Sequence, residues 1–503
     1  MLEIGLSLED PLAIDVDLLV IACSDGDLAN SSLLERIDVR LGGVLHRAIA
    51  EERFRARSGQ WLVAHTHGDL LARRIALVGC GGSGTEAIGR ALRMAAGTAV
   101  RMSAAIGAPR VALAWSGAGD LAAATEAAAE GAWLGAYRFD KYLTDERREA
   151  MPLASLTLCP PAATDAAPQD RQRNLAAALS RARTTAQAVG RARDLVNEPA
   201  GFMTPSRIAS LASEWGVAVG LGVEILDRAA CAKLGMGLFL AVAQGSSEEP
   251  RFIHLSWTPP GARRRVVLVG KGVTFDSGGL SIKTNDGMLD MKTDMAGAAA
   301  VLAAVAAAAE EKLPIEVHAL AACTENMPSG SAYKLGDVLR SLDGKTIEIN
   351  NTDAEGRLTL ADALTFGLRL QPDAVLDFAT LTGACVVALG PHTAGVMSND
   401  DALASAFLAA AEQAGEEMWR LPLPARLAEQ LKSEVADLKN TGERWGGALT
   451  AGLFLKEFVG GVPWVHVDIA GPSSTGKDHG HVGRGGTGFG VTSILAYLRR
   501  GAP

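Results

Sequence analysis

Apolar positions along the chain fall into short runs separated by polar or glycine-rich stretches. In the first third, residues 18–22, 75–78 and 111–114 are continuous apolar runs of strand length. Residues 87–106 carry apolar positions at helical spacing. Residues 159–168 are rich in Pro and Ala, the composition of a linker. The Ala- and Arg-rich stretch 170–196 predicts a long helix bridging two domains. From about residue 198 the chain changes character. Strand-like runs at 266–269, 315–322, 346–349, 374–378 and 464–469 recur before glycine-rich turns, with helical patterns at 295–310 and 357–370 between them. This alternation predicts an α/β fold: a smaller N-terminal α/β domain over 1–170, with a linker near 160–170, then a linking helix and C-terminal α/β catalytic domain over 171–503. The second domain's central sheet is expected to be mixed and largely parallel.

Composition narrows the classes. The chain is 48% hydrophobic and 21% charged, enough for large cores. Its most apolar run, 297–309, is too short to span a membrane and reads as a buried helix, so no membrane partner is expected. The N-terminus has no basic region ahead of Glu9 and Asp10, so no secretory signal is expected. A formal charge of −9 argues against nucleic acid as the main partner. The six cysteines form no C-x-x-C pair, which offers neither a thiolate zinc site nor a disulfide framework. A cytoplasmic protein with reduced thiols is the expectation.

Three acidic clusters stand beside glycine or a strand end: residues 270–279 with Asp276, residues 291–295 with Asp294, and residues 351–357 with Asp353 and Glu355. Taken singly, each acid reads as a turn residue or a helix cap, and Asp294 could cap the helix after it. Together, four converging carboxylates repel one another unless cations sit among them. One divalent ion could suffice, but two would use all the oxygens and leave open positions, a common hydrolase arrangement. Such oxygen-rich ligands suit Mn²⁺, Mg²⁺ or Zn²⁺. Asp353 and Glu355, two apart, would point to the same side in extended backbone. Lys271, Lys283 and Arg357 lie in the same segments. Residues 79–84 fit G-x-G-x-x-G, but the next strand ends in Trp115-Ser116-Gly117 without the acid a dinucleotide site needs. A tight turn is the better reading there.

The segment 269–279, continued by Ile282 and Lys283, resembles the first signature of the leucyl (cytosol) aminopeptidase family. Residues 291–299 resemble its second segment, and 351–358, N-T-D-A-E-G-R-L, match its hallmark octapeptide. Residues 377–384 and 466–471 resemble further segments, so the likeness runs from about 197 to 490.

The resemblance implies a two-metal aminopeptidase that cleaves the N-terminal peptide bond of peptides, with Leu-like or other apolar first residues preferred. Asp276 and Glu355 would bridge two divalent ions, Mn²⁺ or Zn²⁺ with Mg²⁺ as a third option. Lys271 and Asp294 would complete the tighter site, and Asp353 the more exchangeable one. A metal-bridged water would be the nucleophile. Lys283 would stabilise the oxyanion, and Arg357 would clamp a bicarbonate serving as general base. Lys271 must then be neutral, because an ammonium has no lone pair to give a metal. Met291, Thr380, Gly383 and Ala470 match positions lining the pocket for the first side chain. Residues 472–477 depart from the family's usual forms, which bears on the pocket's depth. The resemblance also implies a homohexamer of two stacked trimers.

Overall fold

The computed structural model describes residues 2–81, 88–117, 119–148, 153–161 and 167–501. Residues 82–84 of the glycine motif and 162–166 of the linker lie outside the described residues. The chain forms two compact units. One is Met1–Gln187 with Lys477–Arg484, and the other is Ala188–Gly476 with Gly485–Pro503.

The first unit holds a six-stranded sheet. Its strands are β1 (Glu3–Leu6), β2 (Leu18–Cys23), β3 (Trp61–His65), β4 (Arg74–Gly79), β5 (Arg110–Trp115) and β6 (Ser155–Cys159), in the order β1-β6-β5-β2-β4-β3. Only β3 runs antiparallel to its neighbour. All six residues of β2 are buried, as a continuous apolar run in a doubly covered parallel strand requires. The predicted helix appears as Ile88–Ala105. The helix Pro168–Asn197 is 30 residues long.

In the second unit the strands are β7 (Gly222–Leu226), β8 (Arg251–Trp257), β9 (Arg265–Asp276), β10 (Glu316–Asn326), β11 (Val338–Arg340), β12 (Thr346–Glu348), β13 (Ala374–Ala379), β14 (Ala394–Ser398), β15 (Met418–Arg420), β16 (Leu438–Lys439), β17 (Trp464–Asp468) and the short pair β18 (Ser474–Thr475) and β19 (Gly485–Gly486). Eight form one sheet in the order β15-β14-β17-β13-β9-β10-β8-β7. Its four middle strands, β17, β13, β9 and β10, are parallel, while β14 joins β17, and β8 joins β10, antiparallel. The mixed, largely parallel sheet expected from the sequence is therefore present. The run at 346–349 does not belong to it. It forms β12 in a separate three-stranded sheet with β11 and β16, where a three-residue strand with one buried side chain suffices.

The longest strand departs from expectation. β9 does not stop at Val269 but continues through Gly270, Lys271 and Gly272 to Asp276, paired with β10 across one register shift. The glycines serve close packing rather than a turn. A Cβ on Gly270 would stand 2.5 Å from the Cα of Ala298 in the helix Ala296–Glu310. Strand alternation turns the next residue the other way, so Val267 and Lys271 face the helix Gly356–Leu368. The alanine-rich helix Ala296–Glu310 packs on β9, β10 and β13 and is buried along nearly its whole length. The stretch Asn285–Glu310 is long and apolar enough to cross a membrane, yet its most apolar portion is 89% buried inside the protein. It is a core helix, as expected.

Candidate active site

The carboxyl ends of parallel strands are where open α/β sheets leave room for ligands. Here β9 ends at Asp276, β13 leads into Thr380, and β17 ends at Asp468. Lys271 and Asp276 therefore come from the strand itself, not from a loop after it. Asp294 follows the short 3-10 turn Met291–Thr293. Asp353 lies in a turn, and Glu355 immediately precedes the helix Gly356–Leu368 with helical φ −75 and ψ −35. The two acids share a side because the chain turns into a helix there, not because it is extended.

Asp276, Asp353 and Glu355 each bring one carboxylate oxygen within 4.8 Å of the others. Two lysines interleave with the acids. Lys271 Nζ lies 2.8 Å from Asp294 Oδ1 and 2.8 Å from Glu355 Oε1, and donates to the Thr380 carbonyl at 3.2 Å. Lys283 Nζ lies 2.9 Å from Asp276 Oδ2 and 2.5 Å from Asp353 Oδ1. All seven predicted metal and catalytic residues thus lie in one unit, and the four acids and two lysines meet. Asp294 does not cap the following helix. Its Oδ1 takes Lys271 and the Thr380 hydroxyl at 2.7 Å.

Four carboxylates against two ammonium groups leave an excess of negative charge. The excess shows in proton affinities. Burial, then the charge of Asp276, pushes Glu355 upward, and the Lys271 ammonium only partly offsets this. Asp294 and Asp353 are also raised, with burial the main cause. Burial works to lower both lysines, but the carboxylates around Lys271 and Lys283 outweigh it and raise them. Two buried carboxylate oxygens, Asp294 Oδ2 and Glu355 Oε2, have no hydrogen-bond partner. Such atoms are rare in proteins and call for a cation or water.

Arg357 is buried in the first turn of its helix. Its Nη1 donates to the Asn440 carbonyl at 2.9 Å, while its Nε has no partner. Burial lowers its pKa to about 10, against the charges of Glu355 and Asp468, so it stays protonated at neutral pH. Asn440 also takes the backbone N–H of Asn350 at 2.9 Å and donates to the Asn351 carbonyl at 2.7 Å. It braces both ends of the octapeptide. Nothing in the sequence around it signals that role.

The four expected pocket residues differ in exposure and contacts. Thr380 touches Asp294 through its hydroxyl. Gly383 is exposed at the start of a short helix, and Met291 and Ala470 are half-buried. Asp468 ties two of these segments together, accepting from Leu381 N at 3.1 Å, Ala470 N at 3.2 Å and the Thr382 hydroxyl at 2.7 Å. His466 is a buried core histidine, 2.6 Å from Asp377.

Comparison with known proteins agrees with this architecture. Residues 191–495 match the family described as the cytosol aminopeptidase family, catalytic domain, and residues 20–146 match that family's N-terminal domain. A probable cytosol aminopeptidase of Geobacter sp. (strain M21) is 42% identical over 99% of this chain and 100% of its own length. One from Thermosynechococcus vestitus is 43% identical over 96% of each chain. Among solved structures, a tomato leucine aminopeptidase variant superposes with a TM-score of 0.89 at 36% identity, covering 99% of this chain and 97% of that one. The bottromycin maturation enzyme BotP, in complex with Mn, gives a TM-score of 0.82 at 39% identity, covering 96% and 99%. Fold and site together define a two-domain α/β hydrolase of the aminopeptidase type. The chain belongs to the cytosol aminopeptidase family.

Proposed function

We propose that the chain is a two-metal aminopeptidase in which Lys271, Asp276, Asp294, Asp353 and Glu355 hold two divalent ions, Mn²⁺ or Zn²⁺ with Mg²⁺ as the third candidate. The observation that carries this is the pair of buried, partnerless oxygens on Asp294 and Glu355 beside the three clustered carboxylates. BotP, whose structure contains Mn, has the same fold. Asp276 and Glu355 are the candidates to bridge. Lys271 and Asp294 would serve one ion and Asp353 the other. Bound ions there would supply Lewis acidity and an acidified water.

Lys271 would enter this arrangement neutral. The carboxylates that raise its proton affinity would be neutralised by the ions, leaving burial to lower it. Lys283, less buried and between Asp276 and Asp353, is placed to donate to the oxygen that becomes negative when a peptide carbonyl is attacked. The partnerless Nε of Arg357 fits an anion, and bicarbonate held there would supply a general base. Peptides with a Leu-like or other apolar first residue are the proposed substrates, bounded by Met291, Thr380, Gly383 and Ala470. Cytoplasmic location and homohexameric assembly belong to the same reading and rest on family membership.

The test is metal content measured together with hydrolysis of leucine anilide, with added Mn²⁺ and with chelator. Activity that follows metal content is expected. Full activity in metal-stripped protein overturns the proposal. A stable monomer in light scattering overturns the hexamer.

A further inference from the structure

Asn326 is fully buried at the last position of β10. A register shift between Thr324 and Glu325 sets it opposite Asp276, the last residue of β9. Its side-chain nitrogen makes two bonds, to Asp276 Oδ1 at 2.8 Å and to the Thr352 carbonyl at 2.9 Å. An ionised carboxylate and a carbonyl only accept, so the amide nitrogen must face them and both of its hydrogens are spent. The Asn326 backbone carbonyl takes Ser277 N at 3.1 Å and the Ser277 hydroxyl at 2.7 Å, while the side-chain Oδ1 has no partner. One side chain therefore joins the end of β9 to the turn that carries Asp353 and Glu355. Tyr333 supplies a second donor to the Thr352 carbonyl, at 2.8 Å, but none to Asp276.

The two oxygens of Asp276 are treated differently. Oδ1 accepts from two neutral donors, Gly278 N at 2.9 Å and Asn326 Nδ2, whereas Oδ2 meets the Lys283 ammonium. Neutral donors on one oxygen fix the plane of the carboxylate without adding a charge that would compete with a cation at the other. A lysine or arginine in place of Asn326 would compete, and an acid would repel.

We propose that Asn326 is a positioning residue for Asp276: it holds Oδ1 so that Oδ2 is presented to a divalent ion. This rests on the reading of Asp276 as a metal ligand. Outer partners that orient a ligand change metal affinity about 10–100-fold when removed.

The experiment titrates Mn²⁺ into the metal-stripped full chain and follows the signal of free Mn²⁺ by electron paramagnetic resonance, beside thermal melts of the same metal-free samples. Asn326→Ala should bind Mn²⁺ about 10–100-fold more weakly. Tyr333→Phe, which removes a donor from the Thr352 carbonyl alone, should bind as the natural protein does. A role confined to packing would shift the melts of both variants and the affinity of neither, and that result overturns the proposal. Asn326→Leu, close in volume and lacking the donors, reads the same quantity if the alanine variant melts early. Failure of both to fold makes Asn326 a folding residue and also overturns it. Asp276→Asn separates the two levels. If it binds Mn²⁺ normally, the metal-ligand reading falls. If it binds poorly while Asn326→Ala binds normally, only the positioning role falls.

Discussion

Glu355 and Asp362 sit at the start and in the middle of one helical segment, and both are fully buried. Burial raises the proton affinity of each, Asp362 to about 7. Their surroundings differ in one respect. Asp362 spends both oxygens on neutral backbone donors, Leu342 N at 2.8 Å and Phe239 N at 2.9 Å. It is a strut between the helix and two other segments. Glu355 spends one oxygen on Lys271, leaves the other without a partner, and shares its surroundings with three more acids. Burial and a raised pKa therefore do not separate a working acid from a structural one. Unspent lone pairs and crowded like charge do.

The contrast can be broken at either end. The largest effect belongs to Glu355→Gln, which should lower leucine-anilide hydrolysis with Mn²⁺ by ~100-fold or more, since losing a ligand exceeds the loss of an outer partner. Its metal-free melting temperature should hold or rise, because one crowded negative charge is gone. A variant that melts earlier yet keeps its activity would make Glu355 another strut. Lys283→Ala is expected to be of comparable size, with kcat reduced about 10²-fold or somewhat more and the fold retained, as for loss of one donor to a developing oxyanion. Unchanged kcat in a steady-state assay would remove Lys283 from the chemistry.

At the structural end, Asp362→Asn turns an amide N–H₂ toward a backbone N–H. It should cost about 1–3 kcal/mol of unfolding free energy in denaturant titrations. Mn²⁺ affinity should be unchanged, and a weakened affinity would erase the distinction. The smallest effect is in pH. The folded-state pKa of Asp362, about 7, lies above its unfolded value of 3.8, so between these values the folded state holds more protons. The stability contributed by this group is fully present below the unfolded pKa and is lost as pH rises through about 7. Relative to Asp362→Asn, the natural protein should lose about 1 kcal/mol between pH ~6 and ~7.5 in metal-free denaturant midpoints. A difference that stays constant, or grows with pH, contradicts this assignment of the proton.

Much of this was legible in the residues. The four acids and two lysines that meet in space stand in three short segments whose residue types and spacing point to cation binding. The long apolar runs became the middle strands of both sheets because doubly covered parallel strands tolerate little else. The bracing was not legible. Asn440 reaches Asn351 from 89 residues away, and Asn326 reaches Asp276 from 50 residues away. Each is a lone asparagine in an unmarked stretch, brought into place only by sheet pairing and chain return. β9 runs past the end its glycines suggest for a related reason. Glycine usually marks a turn, and only the helix lying against Gly270 shows that here it marks close approach.

Gly356 gives a way to move a charge without changing one. A Cβ added there would stand 2.5 Å from Lys271 Cε and 2.7 Å from its Nζ. Gly356→Ala therefore keeps every ionisable group and forces the end of the Lys271 side chain to shift. Substitutions at Lys271 alter size, charge and donor count at once. The alanine at 356 is a purely mechanical perturbation, and set beside them it separates how much of the lysine's contribution is its place from how much is its chemistry.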